Sequence, residues 1–476
     1  MRLSVIWRVL RAEGPAAVAA RFGDRRAEAR RRRSFRPAMA PPGGFSCAVL
    51  NLATAEPAPR LGGAQAQLLW RLEAEAELRP VALLYPEPPA AGGGYRLELQ
   101  AGGDRRALRL PAEGQAGRPR PVTALADPGL ERAVLWAASL CGATALQIEG
   151  LAGMPLESLL RLRQSGLRLI LAIYDFAAFC ARPHLLEVPE PPAAPRFCHY
   201  SRDAARCASC LGRDVPGLPP GYQERRRELA HQLLAAAGAI VYPSSFLART
   251  YDELFAGAGR AAARVIAPAA PPAPGLPSRG PETVPLPRAE PPRHIAWVGA
   301  VQPHKGALVF EAAVRRLATA GRSPRLSAYG GGDAEILARW RRLPGLRVRG
   351  YYRAASLPRL LRRDGVDLAL LLSVVPESYG LTFDECAAAG VPVVAFDLGA
   401  PAERIAAQGS GLLLAAPAAD DPETAGAALV ILLADLLDGR VATPPPLPSS
   451  QTAPPAATAR AWNDLYQQLG LFVPGA

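Results

Sequence analysis

The sequence predicts an α/β protein made of two Rossmann-like domains. Strand-length apolar runs alternate with helix-length segments in both halves of the chain, the pattern of a parallel sheet covered on both faces. A Pro-rich stretch without periodicity, residues 268–292, separates the halves. The 476 residues, 49% of them hydrophobic, also exceed what one core uses, since single cores stop growing near about 250 to 300 residues.

Residues 1–44 read as a basic arm. Eleven arginines stand against Glu13, Asp24 and Glu28 in the first 40 residues, a surplus of eight within a chain total of +13. Leu3, Ile6, Trp7 and Leu10 recur at helical spacing, so the arm could lie peripherally on an anionic membrane surface, or be a solvated arm in an Arg-rich protein. No apolar run approaches 18 residues and no signal-peptide core is present, which points to a cytoplasmic chain, with the inner membrane surface as the peripheral location. Basic and aromatic residues do not interleave, so nucleic acid is not expected as a partner.

The first domain is placed at residues 45–267. A strand begins at Phe45, and Gly62-Gly63 opens a helix over 64–78. Strands at 81–85, 145–149 and 167–173 then alternate with helices at 130–140 and 156–164. Residues 180–210 form a Cys-rich insert, in which Cys180, Cys198, Cys207 and Cys210 are four of the seven cysteines in the chain. Four thiolates would satisfy tetrahedral zinc, while free or redox-active thiols and disulfides are the other readings. A helix at 222–237, a strand at 240–242 and a helix at 246–255 complete the domain.

The second domain is placed at 293–440, followed by a second Pro-rich linker at 441–458 and a terminal helix at 459–476. A strand at 295–298 leads through Gly299 and the turn GAVQPHKG into a helix at 307–318. That turn holds Lys305, the one lysine among 55 basic residues. Strands at 325–329 and 346–349 end in Gly330-Gly331-Gly332 and Gly350-Tyr351-Tyr352, turns on the edge where open α/β sheets bind ligands. These glycines do not spell G-x-G-x-x-G, which disfavours a dinucleotide-dependent oxidoreductase.

The most informative stretch is residues 367–396, strand–helix–strand, with Glu377 in the first loop and Glu385 in the helix at 381–389. Gly390 and Pro392 stop that helix, and Ser378 or Thr382 is expected to cap its start. If all eight steps were helical, the two carboxylates would lie roughly 12 Å apart along the axis.

Glu377, seven residues, Glu385, then Gly390-Val391-Pro392-Val393-Val394-Ala395 resembles the Glu-x7-Glu signature of retaining GT-B glycosyltransferases of family 4. The likeness continues in DLGAPAERI at 397–405, in the Lys305 turn and in YDFAAFC at 174–180. It implies two Rossmann-like domains facing across a cleft, with the terminal helix packed back on the first. It further implies a nucleotide-sugar donor on the second domain, a glycan acceptor and no catalytic metal. By the same resemblance Glu377 contacts the donor sugar and Glu385 the ribose. Lys305 and the amides of Ser378, Tyr379, Gly380 and Leu381 meet the diphosphate, where a helix N-terminus suits an anion. Gly63, Gly299 and Gly331 line the donor path, and Asp175 is a polar contact. Two positions depart from the family: Tyr174 replaces a His that approaches the sugar, and Ala300 replaces a frequent Arg. These departures motivate the alternative of a non-catalytic binding or scaffold protein.

Overall fold

The computed structural model describes residues 3–58, 63–88, 94–110, 123–189, 195–213, 215, 217–270, 290–322, 324–415, 421–445 and 453–471. The chain forms two compact units. One comprises Met1–Ala27, Leu186–His199 and Ala270–Thr452; the other comprises Glu28–Leu185, Tyr200–Ala269 and Ala453–Ala476. The boundaries therefore differ from the linear division expected, because most of the arm and part of the Cys-rich insert belong with the C-terminal unit. Most of the 268–292 linker, Gly62 and residues 446–452 lie outside the described residues.

In the N-terminal unit, nine strands are ordered β1-β5-β4-β3-β2-β6-β7-β10-β11. They are β1 (Arg36–Pro37), β2 (Val49–Ala53), β3 (Val81–Pro86), β4 (Tyr95–Ala101), β5 (Asp104–Leu110), β6 (Ala145–Glu149), β7 (Arg168–Ala172), β10 (Ala239–Tyr242) and β11 (Ala263–Val265). Only the β3–β4–β5 meander is antiparallel. The chain turns from one side of the sheet to the other between β2 and β6. The terminal helix Pro455–Gln468 packs in this unit against helix Gly63–Glu75, with Trp462 and Tyr466 buried beside β7 and β10.

A short hairpin, β8 (Leu186–Glu187) with β9 (Arg196–Phe197), belongs with the C-terminal unit. The sheet of that unit is wholly parallel and runs β14-β13-β12-β15-β16-β17. Its strands are β12 (His294–Val298), β13 (Arg325–Tyr329), β14 (Leu346–Gly350), β15 (Leu368–Leu371), β16 (Val393–Phe396) and β17 (Leu412–Leu414). This is the doubly wound order, and its switch point lies between β12 and β15. The core under one face is aromatic: Trp297, Phe310 and Trp340 meet at ring separations of 5.1 to 5.4 Å. No helix among the described residues is long and apolar enough to cross a membrane.

Candidate functional site

Two loops leave the C-terminal sheet at its switch point, one from β12 and one from β15, and each delivers one charged side chain. After β12 the backbone passes Gly299 and makes a tight turn at Pro303–Lys305. Gly306, at φ +77°, then abuts the Leu372 carbonyl so closely that a Cβ would strike it. The His304 carbonyl accepts from Val374 N–H at 3.0 Å and from Ser373 Oγ at 3.1 Å, so the turn is fastened to the loop leaving β15. That fastening sets Lys305 Nζ 2.9 Å from Glu377 Oε1, with both side chains partly open to solvent.

The Glu377 loop is held from its other side by the start of helix Gly399–Gln408. Ala400 N–H donates to the Glu377 carbonyl at 2.9 Å, and a Cβ on Gly399 would come within 2.6 Å of Glu377 N. The DLGAPAERI segment is therefore the seat of Glu377. Lys305, Glu377, Gly299, Gly380, Thr382, Ser373 and Pro401 line one small cleft.

Helix Leu381–Ala389 starts at Gly380, which adopts φ +81°, and no side chain caps it. The cap position therefore falls on Gly380 rather than on the expected Ser378 or Thr382, and the left-handed glycine turns the chain into the helix. The stretch from Glu377 to Gly380 is loop, so the spacing of the two acids is not a helical rise. Gly390, at φ +69°, ends the helix as the sequence suggests. Tyr379 is buried, and the Arg404 guanidinium lies 4.3 Å from the Tyr379 and Phe383 ring centres while pairing with Asp384. Ser378 and Leu381 stay half-buried.

Glu385 lies one turn into this helix and is 6% exposed. Burial pushes its carboxyl up to about 8, opposed by the hydrogen bond that Tyr352 OH donates at 3.2 Å. It is thus a neutral acid near neutral pH, able to donate as well as accept. Tyr352 lies in the turn after β14, and its pairing with Glu385 is not visible in the sequence, where 32 residues separate them.

In the N-terminal unit, the C-terminal edge near the β2/β6 switch point carries Gly63, Glu149, Tyr174 and Asp175. Gly63 is the exposed first residue of its helix. Asp175 accepts from Ala177 N–H at 2.8 Å, and burial raises its carboxyl to about 6 against the lowering effect of that bond and of Arg226. Tyr174 OH donates to Glu149 Oε2 at 2.9 Å. Glu149 also takes Gln147 Nε2 at 2.7 Å and Arg71, which is itself fully buried. Where the resembled family has a His, this chain has a phenol committed to a buried charge network.

Among the described residues no three Cys, His, Asp or Glu side chains gather to hold a metal, and no disulfide joins the cysteines. Cys207 Sγ donates to the Ser201 carbonyl and accepts from Arg227, and Cys180 Sγ accepts from Arg182 N–H, so local hydrogen bonds use these sulfurs.

One feature of the site had no signature in the sequence. Gly331, expected on the donor path, has the Glu13 carboxylate and Arg21 guanidinium against it, and a Cβ there would strike both.

These units define the two-domain GT-B fold. Residues 292–435 match the family model described as Glycosyl transferases group 1, the segment that carries Lys305, Glu377 and Glu385. Among solved structures, sucrose-phosphate synthase from Thermosynechococcus elongatus is similar at 17% identity, covering 89% of this chain and 99% of that one, with a TM-score of 0.57. The catalytic domain of starch synthase IV from Arabidopsis thaliana, solved with ADP and acarbose, aligns at 12% identity over 89% and 99% of the two chains, with a TM-score of 0.53. No curated protein sequence matches the chain. The family match supports glycosyltransferase activity.

Proposed function

We propose that the protein is a retaining glycosyltransferase of the family 4 type, moving a sugar from a nucleotide-sugar donor to a glycan acceptor in bacterial cell-surface polysaccharide synthesis. The observation that carries the proposal is the Lys305–Glu377 pair at 2.9 Å, on the ligand-binding edge and at the switch point of a doubly wound sheet. In the reaction, the bond from the sugar anomeric carbon to the diphosphate oxygen breaks and a bond to the acceptor hydroxyl oxygen forms on the same face. The acceptor proton passes to the departing phosphate. Negative charge grows on the diphosphate, and Lys305 together with the amides at the start of helix Leu381–Ala389 meets it without reorganising, the general source of electrostatic catalysis. Glu377, released from Lys305 by the incoming phosphate, orients the sugar. Glu385 holds the ribose hydroxyls, and Asp175 is a polar contact.

The arm's exposed Trp7, Arg8 and Arg11 keep a cytoplasmic anionic membrane surface in this proposal as the place where the acceptor is met. The scaffold alternative is favoured by one observation, the commitment of Tyr174 to Glu149. A panel of nucleotide sugars, each assayed for released nucleoside diphosphate with and without glycan acceptors, separates the two. Acceptor-dependent release that Glu377→Gln abolishes supports the transferase; binding of a nucleotide sugar without turnover on any acceptor supports the scaffold.

A further inference from the structure

The N-terminal arm is docked, and its docking place is the sheet edge that carries the Lys305–Glu377 cleft. Glu13 ends helix Leu3–Glu13, is 5% exposed, and accepts from Tyr351 N–H at 2.9 Å. Arg21, from helix Pro15–Ser34, pairs with Glu13 at 2.5 Å and lies 4.4 Å from the centre of the Tyr351 ring. Asp24 is equally buried; it accepts from Tyr351 OH at 2.7 Å and from Arg353 Nε at 2.8 Å. Gly331 and Gly350 both lie against Glu13 with no room for a Cβ. Gly331 and Tyr351 follow β13 and β14, and Gly330 abuts the Gly299 carbonyl at the exit of β12. Glu13 therefore stands on the same edge as Lys305, beside the glycine turn next to it.

An amide at the C-terminal end of a parallel strand is what a ligand on this edge would use, and here a carboxylate from the same chain takes it. A buried ion pair is a weak net stabiliser, so a ligand that supplies an acceptor to the same amide can compete with it. We propose that the arm is an internal ligand of the donor site: Glu13 occupies the Tyr351 amide, and nucleotide binding requires Glu13 to leave it. This rests on the donor site proposed above, and it makes the arm an autoinhibitory strap.

The test uses the full-length chain. Calorimetry with UDP and with ADP is run on the parent, Glu13→Ala and Glu13→Gln. If the released state is about a tenth of the population, removing the strap contact tightens nucleotide binding about tenfold. In the parent, which needs no substitution, the nucleotide that binds should speed tryptic cleavage after Arg8, Arg11 and Arg21. Equal or weaker binding by the Glu13 variants, or cleavage that the nucleotide slows or leaves unchanged, overturns the strap. A parent that binds and turns over donor, with variants no tighter, overturns the strap alone and leaves the donor site standing. Failure of parent and variants to bind either nucleotide removes both readings.

Discussion

Lys305 Nζ and Glu377 Oε1 meet at 2.9 Å, although 71 residues separate them in the chain. The pair holds the lysine's charge at the place where a diphosphate would take it over. Glu377→Gln removes the competitor for Lys305 and should leave UDP or ADP binding as tight as in the parent, or tighter, while turnover falls. Lys305→Gln should weaken the same binding and lower turnover by about 10²- to 10³-fold, the usual cost of losing one preorganised donor. Calorimetry and a nucleotide-release assay on both variants check this.

Glu385 gives a pH signature. Its folded carboxyl lies near 8, above the ordinary value of 4.5, so between those values the folded chain holds a proton that the unfolded chain has lost. Stability should therefore fall as pH rises from about 5 to 8, and level off above that. Glu385→Gln, neutral throughout, should flatten that part of the melting-temperature profile. Tyr352→Phe removes the bond that favours the ionised form and should extend the fall to higher pH, with its onset unchanged.

The same Glu385→Gln variant should weaken nucleotide binding by about 0.5 to 1.5 kcal/mol if the neutral acid makes the ribose hydrogen bond, and by about 1.5 to 3 kcal/mol if the ionised form does. Calorimetry at pH 7, repeated above pH 8, separates the acid's two forms. A loss confined to one pH identifies the form that holds the ribose.

Gly306→Ala should disrupt the site through the backbone. Its φ of +77° and the abutting Leu372 carbonyl leave no place for a methyl group. A cost of about 1 to 3 kcal/mol is expected, with weaker nucleotide binding because Lys305 loses its seat. Thermal melting read beside calorimetry distinguishes this from the Lys305 variant, which should melt like the parent.

For the cysteines, elemental analysis of the purified chain decides the zinc reading of Cys180, Cys198, Cys207 and Cys210: close to one zinc per chain supports it, and none, with all four thiols alkylated in the native state, removes it. In Tyr174→Phe, loss of the phenol's bond to buried Glu149 should cost about 1 to 3 kcal/mol.

The fold class was legible because strand and helix periods alternate through both halves, which implies a parallel sheet covered on both faces; the strand order was not. Glu377, Lys305 and Gly390 were legible because each sits at a turn whose chemistry is local. Glu13 at Tyr351 was not, since an arm of alternating Arg and apolar residues carries no mark of what it docks on. Nor was the Tyr352–Glu385 bond. Nor were the partners of the clustered cysteines: closeness in sequence does not say what each sulfur meets, and Cys207 meets Ser201 and Arg227. The helix cap was misjudged because a glycine in the left-handed region can turn the chain without any capping side chain.

That Lys305 is the sole lysine makes the protein its own single-site reporter. Apart from the α-amino group, an amine-selective acylating reagent has one target, and that target sits in the cleft. Intact-mass spectrometry after brief labelling would then count occupancy of the site directly: beyond the mass added at the α-amino group, one further mass for an empty cleft and none for a cleft whose ammonium is held by phosphate. No tag, engineered cysteine or chromophore is required to follow donor binding in a crude mixture.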